Sequence, residues 1–184
     1  MSYDSGQVYQ PEADTYLLLE AALAESRTGD RILEIGTGSG HIAAELSRIA
    51  DVLATDINPH AVGAARDRGV ETIRADFFAG LKGTFNLIIF NPPYLPTRPE
   101  ERIDDWLEYA LDGGLNGREA ITRFANEAGR VLAWGGRILL LISSLTGLHE
   151  VQTLFSAQGF SSEVLREQVV EDEILYVLKI VRSG

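Results

Sequence analysis

Short apolar runs alternate with longer amphipathic stretches along the whole chain. RILEI (31–35), VLAT (52–55), VETIR (70–74), FNLIIFN (85–91) and RILLLIS (137–143) predict β-strands. Most are continuously apolar, as parallel strands covered on both faces should be. Helical patterns fill 41–50, 58–68, 117–133 and 147–158, and another, EADTYLLLEAALAESR (12–27), precedes the first strand. Asn58 followed by Pro59 supplies a cap and a first-turn proline, and Gly135-Gly136 closes the helix before it. The tail changes character. SSEVLREQV (161–169) and EILYVLKIV (173–181) leave no room for a helix between them and predict an antiparallel pair. Repeated β-α units ending in such a pair predict an α/β fold: a doubly wound, mostly parallel sheet with an antiparallel C-terminal strand pair. In that winding the third strand, 70–74, lies at the outer edge, open to pairing by another chain.

Composition narrows the function classes. The 184 residues, 45% hydrophobic and without linker or repeat, fit one domain over 1–184. No window reaches the ~20 apolar residues of a membrane span, and MSYDSGQVYQPEAD is not a secretory signal, so a cytoplasmic protein is expected. The absence of cysteine excludes disulfides and thiolate zinc sites within the chain, and His41, His60 and His149 are scattered, so no metal site is expected. The net charge of -11, with two lysines (Lys82, Lys179), disfavours direct nucleic-acid binding; adaptation to high salt would give the same bias.

The chemistry begins after the first strand, at EIGTGSGH (34–41). Gly36, Gly38 and Gly40 permit a sharp turn and close ligand approach beside a helix N-terminus. Asp56 ends the second strand, 20 residues after Gly36, where a carboxylate can accept from ribose hydroxyls. Asp76 ends the third; it can accept from an adenine amine while Phe77 packs the base. These positions point to an adenosyl cofactor. The G-x-G-x-G spacing departs from the dinucleotide fingerprint, and Glu34, two residues before the first glycine, suits the α-amino group of a methionine moiety. This set resembles the class I methyltransferases that bind S-adenosyl-L-methionine, which implies a Rossmann-like core over 29–184 with an N-terminal helical extension over 1–28.

The fourth strand ends in Asn91-Pro92-Pro93-Tyr94, the mark of methyltransferases acting on planar nitrogens. Two prolines fix the backbone and keep its carbonyls out of a helix ladder. The Asn91 side-chain oxygen and the Pro92 carbonyl can accept the two N–H bonds of an amide, with Tyr94 lying over the plane. VYQPEADTYLLLE (8–20), NPPYLP (91–96) and GGLNGREAITRF (113–124) together resemble the HemK/PrmC family. They are most similar to its short archaeal and eukaryotic members, which methylate the glutamine of the Gly-Gly-Gln motif in class I release factors. The resemblance implies cofactor contacts at Thr15, Glu34, Gly36, Asp56, Asp76, Phe77 and Asn91, with Gly38 in the same loop. It implies substrate contacts at Asn91, Pro92, Pro93 and Tyr94, with Asn91, Pro92 and Tyr94 catalytic. It also implies a small zinc-binding activator protein docked at 70–74, the zinc lying in the partner. Family members usually read Pro-x-Glu-Asp where this chain has Pro11-Glu12-Ala13-Asp14. The same Asn-Pro-Pro-Tyr device also serves enzymes that methylate adenine or guanine amines in RNA or DNA, but no basic groove is visible here. The long acidic connection at 95–116 carries Glu100, Glu101, Asp104, Asp105, Glu108 and Asp112 with Trp106 and Tyr109. It is read either as a solvated cap or as a surface attracting a basic substrate loop.

Overall fold

The computed structural model describes residues 3–94, 96, 105–107 and 110–184. Seven strands form one sheet: β1 (Arg31–Ile35), β2 (Asp51–Asp56), β3 (Glu71–Arg74), β4 (Phe85–Phe90), β5 (Leu132–Ser143), β6 (Phe160–Val170) and β7 (Glu173–Arg182). Their order is β3-β2-β1-β4-β5-β7-β6. The first five are parallel, and β7 enters antiparallel between β5 and β6. Among the described residues five α-helices cover the faces: α1 (Ala13–Glu25), α2 (His41–Leu46), α3 (Pro59–Asp67), α4 (Glu119–Val131) and α5 (Leu148–Ala157). This is the expected fold class.

Strand alternation sorts the core into two layers. Ile32, Leu87, Ile89, Leu139 and Leu141 face α1, α2 and α3, meeting Leu17, Leu18, Ile42 and Ala65. Leu33, Ile35, Ile88, Phe90, Ile138 and Leu140 face α4 and α5, meeting Ile121, Phe124, Ala128 and Phe155. The α4 residues recur at helical spacing, and the Phe124 ring stacks on Phe90 with centroids 4.8 Å apart. Asn58 caps α3, its side chain accepting from His60 N at 2.8 Å, with Pro59 at the first position. A buried charge network ties α1 to the sheet: Arg137 reaches Asp30 at 2.6 Å and Glu25 at 3.4 Å.

Several boundaries differ from the sequence expectation. The helix expected to run to 133 ends at Val131, and β5 starts at Leu132, earlier than 137. Gly135-Gly136 therefore closes no helix. It lies inside β5, where the pairing with β4 shifts between Phe85 and Leu87 and the extra residues are absorbed as an irregularity. Helix α2 stops at Leu46, followed by turns as far as 50.

Strand β3 is at the outer edge, beyond β2. Its edge is not wholly bare: the Arg66 guanidinium of α3 donates twice to the Thr72 carbonyl, at 3.0 and 2.7 Å. Gly40 begins α2 at φ 77, in the left-handed region. A Cβ there would lie 2.7 Å from both Cα and Cβ of Ala65 on α3. The third glycine of the loop thus lets two helices touch. Gly40→Ala is expected to destabilise the protein by roughly 2–3 kcal/mol, from overpacking plus left-handed strain, read as a lowered midpoint in urea unfolding. A change within error would show that the contact relaxes freely.

Candidate active site

The strand order reverses between β1 and β4, and their C-terminal ends diverge there to leave a crevice. Ile35 pairs with Phe90, so Gly36 and Asn91 follow directly on neighbouring strands. Ile35 also pairs with Thr55, and Asp56 with Arg74, which brings Asp56 and Asp76 to the same end of the sheet. The result is one cavity of about 960 Å³. Thr15, Glu34, Gly36, Gly38, Asp56, Asp76, Phe77, Asn91, Pro92, Pro93 and Tyr94 all line it. Gly40 does not, in keeping with its packing role.

Each carboxylate has a different setting. Glu34 is buried, and its Oε2 accepts from the Thr37 hydroxyl at 2.6 Å and the Ala43 amide at 3.1 Å. Burial outweighs those donors and pushes its carboxyl up to about 8. Asp56 accepts from the Gly38 and Asn58 amides, each at 2.9 Å; burial still raises it above the ordinary carboxylate range. Asp76 is more open and takes a two-pronged bond from Arg123, 2.8 Å on each oxygen. The same guanidinium lies 4.6 Å over the Phe77 ring, which also meets Phe90 edge-on at 5.6 Å. Phe77 sits at φ 50, a left-handed conformation uncommon outside glycine.

The fourth strand delivers Asn91 to the α1 side of the sheet. Its Nδ2 donates to Asp14 at 2.9 Å, while its Oδ1 is buried and unpartnered. Tyr94 lines the cavity nearby, its phenol raised by burial and then by the charge of Asp14. Gly117, at φ 69, packs against the Tyr94 carbonyl so closely that any Cβ would collide with it. This explains why the Asn-Pro-Pro-Tyr and Gly-Arg-Glu blocks occur together. Sequence reasoning gave no role to Tyr9, Asp14 or Arg123, although all three line the cavity and stand inside or beside the quoted blocks. In the acidic connection, Trp106 and Asp112 reach the cavity rim, and the Trp106 amide donates to Gln7 Oε1 at 3.0 Å. Glu100, Glu101, Asp104, Glu108 and Tyr109 lie outside the described residues.

This arrangement fits an adenosyl cofactor: buried acids at Glu34 and Asp56, a more open acid at Asp76 with an aromatic beside it, and an orphaned acceptor at Asn91. The "Methyltransferase small domain" family model matches residues 10–104. A protein of Methanocaldococcus jannaschii, provisionally named a protein N5-glutamine methyltransferase, is 37% identical over 96% of this chain and 92% of its own. The chain belongs to the HemK/PrmC-type glutamine methyltransferases. Human methyltransferase HEMK2 is 32% identical over 96% of this chain and 90% of its own. The Deinococcus radiodurans release factor glutamine methyltransferase is 38% identical, but only 52% of its length is matched. A solved structure, the E. cuniculi Mtq2-Trm112 complex responsible for methylating the eRF1 termination factor, superposes with TM-score 0.81 at 29% identity. It covers 96% of this chain and 99% of the matched one. As a member of this family, the enzyme uses S-adenosylmethionine as its methyl donor.

The raised carboxyl of this glutamine methyltransferase sets a pH dependence. Because the folded Glu34 holds its proton to about 8 against an ordinary 4.5, the neutral form favours folding, and that advantage is lost as pH rises from 4.5 to 8. The unliganded Glu34→Gln variant is expected to lose less stability than wild type over that span, as measured by denaturant unfolding at a series of pH values. Parallel slopes for the two proteins would mean that Glu34 is not the group responsible.

Proposed function

We propose that this enzyme methylates the side-chain amide nitrogen of a release-factor glutamine, the one in the Gly-Gly-Gln motif of class I factors. The observation that carries the reading is the buried Asn91 Oδ1, which lines the cavity with no partner of its own. The names of the relatives support it: bacterial homologues are release factor glutamine methyltransferases, and the Mtq2-Trm112 complex acts on eRF1. Residues 1–184 act as one methyltransferase unit, with the 1–28 extension completing the pocket through Tyr9, Glu12 and Thr15.

An amide nitrogen is a poor nucleophile because its lone pair is delocalised. Asn91 Oδ1 accepts one of its N–H bonds and the Pro92 carbonyl the other, which orients the nitrogen and favours positive charge developing on it. Tyr94 covers the amide plane, and the prolines hold the backbone that carries the Pro92 carbonyl. Thr15, Glu34, Gly36, Gly38, Asp56, Asp76 and Phe77 hold the cofactor: Asp56 takes the ribose hydroxyls, Asp76 and Phe77 the adenine, and Glu34 the α-ammonium. When bound, S-adenosylmethionine supplies an electrophilic methyl group on a sulfonium. The acid-rich wall suits that cation.

Asn91→Ala is expected to lower turnover by about 10²–10³-fold, the loss of one preorganised polar contact, with the melting temperature nearly unchanged. The readout is mass spectrometry of the Gly-Gly-Gln peptide of co-expressed release factor, with RNA and DNA as parallel arms in a radiolabelled-methyl assay. Activity within a few-fold of wild type would sink this mechanism, and label in nucleic acid alone would overturn the substrate.

A small zinc-binding activator is proposed to add a strand to β3, the uncharged end of Thr72-Ile73 being the β-prone stretch. Arg66, which now holds the Thr72 carbonyl, frames that edge. Co-expression is expected to give a heterodimer with higher solubility and activity than the chain alone. Equal activity of the lone chain, with Ile73→Pro changing neither folding nor co-purification, would rule this arrangement out.

A further inference from the structure

We propose that Asp14, backed by the Tyr9 hydroxyl, is a positioning residue that fixes which end of the Asn91 amide faces the substrate. The inference rests on the proposed use of Asn91 Oδ1 as an acceptor. An asparagine amide has two ends of nearly equal size, one accepting and one donating. Turned one way, Asn91 offers the substrate nitrogen an oxygen. Turned the other, it offers N–H against N–H, which repels.

Something must choose between the two, and the choice is visible. Asp14 Oδ2 lies 2.9 Å from Asn91 Nδ2, across 77 residues of chain. A carboxylate only accepts, so the nitrogen has to face it and Oδ1 has to face away. The Tyr9 hydroxyl donates to the same Oδ2 at 3.0 Å, and burial with the nearby Asp14 charge keeps that phenol protonated, hence a donor. Asp14 Oδ1 is filled by Thr15, from its amide and from its hydroxyl at 3.1 Å. These four donors, with the Tyr94 hydroxyl also turned to the same group, crowd a carboxylate that is only 3% exposed. No acceptor capacity is left for substrate or for proton removal. Its place in the first turn of α1 also sets the negative charge at the favourable end of the helix.

Asp14→Asn removes the preference: with its oxygen toward Asn91 the new side chain sets its NH2 against the Thr15 amide, and with its NH2 toward Asn91 it keeps the Thr15 bond and favours the turned Asn91. The expected result is a fall in kcat for release-factor methylation of about 10²-fold, with little change in KM for the release factor. Tyr9→Phe, nearly isosteric, should fold normally and lose several-fold in kcat. The decisive measurement is a double-mutant cycle. In the Asn91→Ala background, Asp14→Asn should cost far less than it does in wild type, because Asp14 acts chiefly through Asn91. Additive losses, or an unchanged kcat in Asp14→Asn, would overturn the proposal and leave Asp14 a structural tie or an independent participant. NMR gives an arm that needs no substrate. The Asn91 side-chain amide protons, assigned by their absence in Asn91→Ala, should exchange slowly in wild type and quickly in Asp14→Asn. Slow exchange in both would refute the orientation even if the release factor proved not to be the substrate, whereas absent methylation by wild type would refute only the substrate reading.

Discussion

The parallel register of β1 against β4 is the constraint on which the rest of the site depends. With Ile35 opposite Phe90, two loops that share no local sequence relation leave the sheet at the same height. The reversal of strand order at this pair keeps a helix from filling the gap between them. Alternation then assigns faces. Phe90 turns into the aromatic layer under α4, and the next residue turns the opposite way, toward α1. A slip of one residue would send Asn91 into the Phe124 layer and Phe90 into Asp14. The apolar alternation of these strands specifies the register, and the register specifies the chemistry.

The cavity collects carboxylates in a chain that already carries a net charge of -11. Each is made tolerable by a different local device. Asp56 uses backbone amides of the glycine turn and of the α3 cap. Asp14 uses four donors and a helix start. Glu34 has only two donors on one oxygen, which is why burial dominates it. The unevenness has a direction: the least satisfied acid is the one most improved by a cationic ligand.

Much of this was legible in the sequence because it is local. The strands are short apolar runs, Asn58-Pro59 caps α3 as expected, and the residues named from the two loop motifs line one cavity, Gly40 excepted. What could not be read is what depends on distance. Asp14 meets Asn91 across 77 residues and Arg123 meets Asp76 across 47, so neither pair leaves a periodic or spaced signal. Gly40 was read as part of a ligand turn because glycine reports only that space is short; that the space belongs to Ala65 is a tertiary fact. Gly135-Gly136 was misread for a related reason. Paired glycines mark an interruption, and only the pairing of β5 with β4 shows that a strand is interrupted there.

Arg123 shows how these separate devices converge. It projects from α4, whose next residue, Phe124, packs against Phe90, so the helix that secures the aromatic layer also carries a guanidinium to the cavity. There it neutralises Asp76 with a planar fork and lies flat over Phe77. In the proposed cofactor site those are the two residues facing adenine. A base entering beside them finds an acid held at a fixed angle by its arginine and a ring held between that arginine and Phe90. Each carboxylate oxygen has a second lone pair, so the base can share Asp76 without displacing the ion pair. The outer acid is oriented by Arg123 and the inner amide by Asp14, and in both places a charged partner turns a side chain with two possible presentations into one with a single one.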